Sequence, residues 1–249
     1  MPLEIRQFPC LSDNYGFLVR DADTGMVATV DTPDADAILR ELEASGWGRL
    51  DLILNTHWHP DHAGGNARLK AETGCEIAGP AEVERIAPLD RRVAGGETVT
   101  LGATAFQVMA SGGHTLEHVA YWSEADAVAF VGDTIFAMGC GRLFEGTAEQ
   151  MWGSLQALAA LPPRTRLYCA HEYTAANARF ALSIDPDPGV KARAQAVFDA
   201  RERGEPTVPT TVDLERATNP FLRAPSLVEA ASQAEAFAKV RAAKDAFRG

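Results

Sequence analysis

Four apolar runs in this chain each stop at a histidine or an aspartate. Leu50–Leu54 leads into His57 and His59, Ala105–Ala110 into Ser111-Gly112-Gly113-His114, Ala127–Val131 into Gly132-Asp133, and Arg166–Ala170 into His171. Short apolar runs bounded by turn residues read as buried strands, and strands that release polar groups from their ends gather them at one rim of a sheet. Two further runs, Gly16–Val19 and Met26–Val30, alternate with helical stretches at Asp34–Ala44 and Asn66–Glu72, so the first two-thirds reads as an α/β layered domain. From about Tyr173 the texture turns Ala-, Arg- and Glu-rich with helical spacing, over Ala175–Leu182, Gly189–Arg203 and Ser226–Phe247, broken at Gly204-Glu205-Pro206 and at Asn219-Pro220. Val27–Asp31 and Ala127–Asp133 both read as a strand ending in Asp-Thr, a hint of internal duplication.

The densest chemistry is His57-Trp58-His59-Pro60-Asp61-His62. Imidazoles and carboxylates suit zinc, iron and manganese, and four such groups in six positions exceed what one tetrahedral ion takes from so short a segment. A dinuclear site is therefore expected. The protein has six histidines, and those at 57, 59, 62, 114 and 171 all stand at or just past strand ends. Asp133 could cap a helix, but at the end of a strand in this company it reads as a bridging ligand, because a carboxylate has two oxygens to share between two cations. His118, four residues after His114, reads as a structural support for the ligands.

Composition excludes several classes. A formal charge of -11 and the lack of any Lys/Arg cluster argue against nucleic acid, which leaves small molecules as substrates. No apolar stretch approaches the length of a membrane span. The opening residues lack the pattern of an export signal, and Cys10, Cys75, Cys140 and Cys169 are too far apart to pair locally, so buried thiols and a cytoplasmic setting are expected.

His57-x-His59-x-Asp61-His62 followed by a lone His, a Gly-Asp and another His resembles the metallo-β-lactamase superfamily. Four more segments narrow the likeness: Leu11-Ser-Asp-Asn-Tyr15, Gly132-Asp-Thr-Ile-Phe-Ala-Met-Gly-Cys-Gly-Arg-Leu-Phe-Glu-Gly-Thr147, Cys169-Ala-His-Glu-Tyr-Thr174 and Asn219-Pro-Phe-Leu-Arg223. Together they look like glyoxalase II, the hydroxyacylglutathione hydrolase family, over nearly the whole chain. The resemblance implies an αββα sandwich over residues 1–170 and a helical substrate-binding domain over 171–249. It assigns His57, His59 and His114 to one metal and Asp61, His62 and His171 to the other, with Asp133 bridging. It places the glutathione contacts at Arg142, Phe144, Tyr173, Arg223 and Ser226. Two of these depart from the usual pattern, a tyrosine where Phe144 stands and a lysine where Ser226 stands, which leaves fewer polar anchors for the tripeptide.

The implied reaction is hydrolysis of S-D-lactoylglutathione to D-lactate and glutathione by a hydroxide generated between the two ions, with Asp61 and Asp133 as the acidic groups at the reacting centre. Zinc is the first expectation, with iron or manganese as alternatives, and a monomer is expected. Three other readings compete: a glutathione persulfide dioxygenase of the same superfamily or a hydrolase of another thioester; a lactamase or nuclease of the same fold; and a metal-stabilised binding module. The last would need four ligands where seven are present.

Overall fold

The first helix shows how the local sequence sets the boundaries of the fold. Asp34 accepts from the amides of Asp36 and Ala37, and Gly46 closes the other end at φ 68°, a left-handed turn that glycine adopts without strain. Between these caps Ile38 and Leu42 share one face and are buried against Leu18, Leu50, Ile53 and Leu69. A computed structural model describes residues 3–249. The chain forms two units, residues 1–110 with 117–132 and residues 111–116 with 133–249.

In the first unit, β1 (Glu4–Cys10), β2 (Asn14–Arg20) and β3 (Val27–Val30) pair antiparallel in sequence order. β4 (Leu52–Leu54), β5 (Glu76–Gly79) and β6 (Arg91–Arg92) extend the same sheet in parallel. Parallel neighbours are buried on both faces, and β3 and β4 are accordingly apolar and fully buried, apart from Thr29. α1 (Ala35–Ser45) and α3 (Asn66–Thr73) are its longer helices, and α2 (Pro60–Ala63) is a single turn opened by a proline at its first position. A second, antiparallel sheet runs β7 (Thr98–Leu101), β8 (Thr104–Ala110), β9 (Val119–Ser123) and β10 (Val128–Gly132). β8 alternates buried and exposed residues as a strand with one covered face must.

The second unit begins its regular structure with a small ribbon, β11 (Ile135–Phe136) and β12 (Gly139–Cys140), followed by α4 (Ala148–Ala159), β13 (Arg166–Cys169), α5 (Thr174–Ile184), α6 (Pro188–Glu202), β14 (Thr210–Thr211), α7 (Val212–Thr218), α8 (Ala224–Leu227) and α9 (Gln233–Ala246). α5 and α6 bury Ala178, Ala181, Val190, Ala194 and Val197 around Met138. α9 turns Phe237 toward Phe221 and Trp152. Beneath them lies a polar knot. Glu215, fully buried, forms an ion pair with Arg193 and accepts from the Met138 amide at 2.9 Å and from Asn219 Nδ2 at 2.9 Å.

The helix expected over Ser226–Phe247 is two helices. Val228 is extended, and Ser232 starts α9 by accepting from the Glu235 amide at 3.1 Å while Glu235 accepts from the Ala231 amide at 2.7 Å. This reciprocal cap stops the helix from running backward through residues 228–232. Among the described residues no helix is long and apolar enough to cross a membrane.

Candidate metal centre

In the first unit the end of β4 hands the chain to Asn55, Thr56 and His57, and His59 caps α2 so that Asp61 and His62 lie in its single turn. The His62 carbonyl accepts from the Thr32 amide (2.8 Å) and from Asn55 Nδ2 (2.9 Å), which ties this turn to the ends of β3 and β4. The four candidate ligands fall into two pairs. His57 Nε2 and His59 Nδ1 are 3.0 Å apart, and His62 Nε2 and Asp61 Oδ2 are 3.6 Å apart. Asn14 Nδ2 donates to Asp61 Oδ2 at 3.1 Å and steadies the most exposed carboxylate of the set.

Asp31 stands behind these ligands, 5% exposed and at φ 59°, a left-handed conformation that costs a non-glycine residue energy. Its Oδ2 faces His62 Nδ1 at 2.8 Å, so the ring donates there and keeps Nε2 for the other side. His118 is buried and stacks on His57, centroids 4.8 Å apart, as expected of a structural support. Gly132 is forced twice over: its φ is 47°, and a Cβ there would lie 2.6 Å from both Thr56 Oγ1 and His118 Nε2.

In the second unit the loop after β8 carries His114, Asp133 follows β10, and His171 follows β13. Asp133 presents one oxygen to each histidine: Oδ2 is 3.4 Å from His114 Nε2 and Oδ1 is 3.4 Å from His171 Nε2. His114 Nδ1 donates to the Arg142 carbonyl at 2.9 Å, which turns Nε2 toward Asp133. A Cβ at Gly141 would sit 2.0 Å from the Asp133 carbonyl, so only glycine permits this approach.

These separations test whether the donor set fits divalent ions. Two donors each 2.0–2.1 Å from one tetrahedral ion lie about 3.3 Å apart. The pairs within the two units span 3.0–3.6 Å. Nitrogens and carboxylate oxygens at these spacings are the donors zinc, iron and manganese accept, so the residues fit.

All five expected substrate contacts lie in the second unit. Tyr173 stacks on His171, centroids 4.7 Å apart and planes 3° apart, and is 38% exposed. Phe144 meets His114 edge-on at 5.2 Å and is 61% exposed. The Arg142 side chain is exposed. Arg223 is differently engaged: Nε donates to the buried Asp185 at 2.7 Å, Nη2 faces Asp187 at 3.3 Å and Nη1 donates to the Ala217 carbonyl. Ser226 donates to the Arg223 carbonyl at 2.8 Å and lines an open groove of about 670 Å³.

Sequence reasoning missed Lys244. Its ammonium lies on the Ala176 carbonyl at 2.9 Å, three residues past Tyr173, and over the Phe180 and Phe247 rings. One turn earlier on α9, Arg241 Nη1 donates to the carbonyl of Cys140, two residues before Arg142. Burial, then the neighbouring charges of Arg241, Arg179 and Arg142, push the Lys244 pKa down to about 8, with Asp245 opposing. The signal in the sequence was Arg241 and Lys244 three apart on one helix face.

Residues 14–171 match the family model of the metallo-β-lactamase superfamily, and residues 172–247 match that of the hydroxyacylglutathione hydrolase C-terminus. The chain is 53% identical to the hydroxyacylglutathione hydrolase of Maricaulis maris over 98% of this chain and 99% of that one. It is 52% identical to the hydroxyacylglutathione hydrolase of Erythrobacter litoralis, covering 98% and 100%. Among solved structures, ETHE1 from Myxococcus xanthus superposes with a TM-score of 0.72 at 24% identity, over 96% of this chain and 90% of that one, a likeness of fold. Similarity at this level from end to end places the chain in the hydroxyacylglutathione hydrolase family, with the metallo-β-lactamase fold.

Proposed function

We propose that the chain hydrolyses S-D-lactoylglutathione to D-lactate and glutathione, with His57, His59 and His114 holding one divalent ion, Asp61, His62 and His171 a second, and Asp133 shared. The observation that carries this reading is the division of the donors into pairs within each unit, above all the two oxygens of Asp133 facing different histidines. When bound, two such ions supply a water-derived nucleophile at neutral pH and positive charge opposite the carbonyl oxygen as it gains charge. Zinc is the metal we propose. The protein's own part is to hold the thioester there. Phe144 and Tyr173 offer aromatic surface beside His114 and His171, and no general acid is required, because a thiol with a pKa near 8.5 leaves readily as thiolate.

The carrier's carboxylates need cations. Arg223 would have to leave Asp185 to bind one, whereas Lys244 is repelled by Arg241, Arg179 and Arg142, and a bound anion relieves that repulsion. Lys244 thus takes the part that a lysine at position 226 would have played. Lys244→Ala should raise KM for the glutathione thioester roughly 10-fold with kcat little changed, the size of one charge-assisted contact. Because the Lys244 pKa is lowered to about 8, the cation is lost as pH rises through that value. KM should therefore climb above pH 8, and Lys244→Arg, which stays charged, should flatten the climb.

The direct test is turnover of S-D-lactoylglutathione by purified protein, with metal content measured on the same sample. Thiol release with two divalent ions per chain is expected. Oxygen consumption with glutathione persulfide and no attack on the thioester would overturn the proposal.

A further inference from the structure

Behind the ligand turn of the first unit, one hydroxyl is spent twice. Asp31 receives three hydrogen bonds: the Thr56 amide to Oδ1 at 2.8 Å, Thr56 Oγ1 to Oδ2 at 2.8 Å, and His62 Nδ1 to Oδ2 at 2.8 Å. Thr56 Oγ1 is also 3.0 Å from His57 Nδ1. All four residues are at least nine-tenths buried. A carboxylate accepts only, so the single Thr56 hydroxyl proton goes to Asp31 and the Oγ1 lone pair is left to accept from His57. His57 must then carry its proton on Nδ1 and present Nε2, the atom that faces His59.

We infer that Thr56 is a positioning residue that relays Asp31 to His57, so that one carboxylate fixes the tautomer and ring orientation of two ligand histidines: His62 directly and His57 through the hydroxyl. The inference rests on the reading that these two histidines serve different ions. An imidazole held by a carboxylate is a familiar support for a single ion; here the same oxygen, Oδ2, governs a ligand of each. Asp31 adopts a left-handed backbone, φ 59°, and its amide donates to the Leu54 carbonyl at 2.9 Å, which anchors it beside the end of β4.

Thr56→Val keeps the shape and the backbone bond to Asp31 Oδ1 and removes only the relay. In competition with a chromophoric chelator, with cadmium-113 resonances identifying the two ions, this variant should bind the ion of His57 and His59 about 10–100-fold more weakly, the usual size of such support. The ion of Asp61 and His62 should bind as before. Thr56→Ser should bind both ions as the parent does, and Asp31→Asn should weaken both. A Thr56→Val protein that holds both ions as tightly as the parent, or loosens both equally, overturns the relay. So does an Asp31→Asn protein that loosens only the ion of His62. A parent protein that binds a single ion overturns the two-ion reading and this inference with it.

Discussion

Asp133→Ala is expected to lower kcat/KM for the thioester by more than about 10³-fold, over 4 kcal/mol of transition-state stabilisation, and to leave the purified protein short of metal. The side chain offers one oxygen to His114 and the other to His171, each at 3.4 Å, so its removal takes a donor from both proposed ions at once. Metal analysis and kinetics on the same preparation check this. A variant with two ions and near-normal turnover would remove Asp133 from the centre. Asp133→Asn separates charge from shape: it keeps one good oxygen donor, and retention of a single ion is the expected result.

Glu215→Ala should be the most damaging change away from the metal residues. Glu215 is fully buried, paired with Arg193, whose side chain is 8% exposed, and it accepts from Met138 N and Asn219 Nδ2. Truncation leaves the Met138 amide without its acceptor and the buried Arg193 guanidinium without its counter-charge, and breaking a buried pair from one side costs about 3–5 kcal/mol. For a chain of this size that is a fall in thermal midpoint of roughly 6–20 °C. Differential scanning calorimetry measures it. A shift under 3 °C would show that the knot contributes little.

Much of this was legible in the sequence because the signals were local. Apolar runs ending at His57, His114, Asp133 and His171 became strands ending there. The six-residue segment of candidate ligands reads by spacing alone, since its four donor side chains lie close together in the chain. α1, α3 and α6 fell within a residue of their expected bounds, because their caps are written in Asp34, Gly46, Gly74 and Asp187, and α5 fell within two. What escaped depends on pairing across long separations. Asp31 was visible only as half of a suspected repeat, and its partner Thr56 lies 25 residues on. Arg223 looked available for a substrate carboxylate until the fold brought Asp185 to it from 38 residues away. Lys244 reads as one more solvated charge on a helix, until that helix sets it on the Ala176 carbonyl.

Arg142 contributes to the protein in two currencies that mutation separates. Its carbonyl oxygen holds His114 in the metal-ready tautomer, while its guanidinium stands exposed among the cations around Lys244. Any residue has a carbonyl. Position 142 can therefore change its side chain while the histidine support stays in place, so, on the proposed contact of Arg142 with the thiol carrier, a lineage could shift substrate here without disturbing His114.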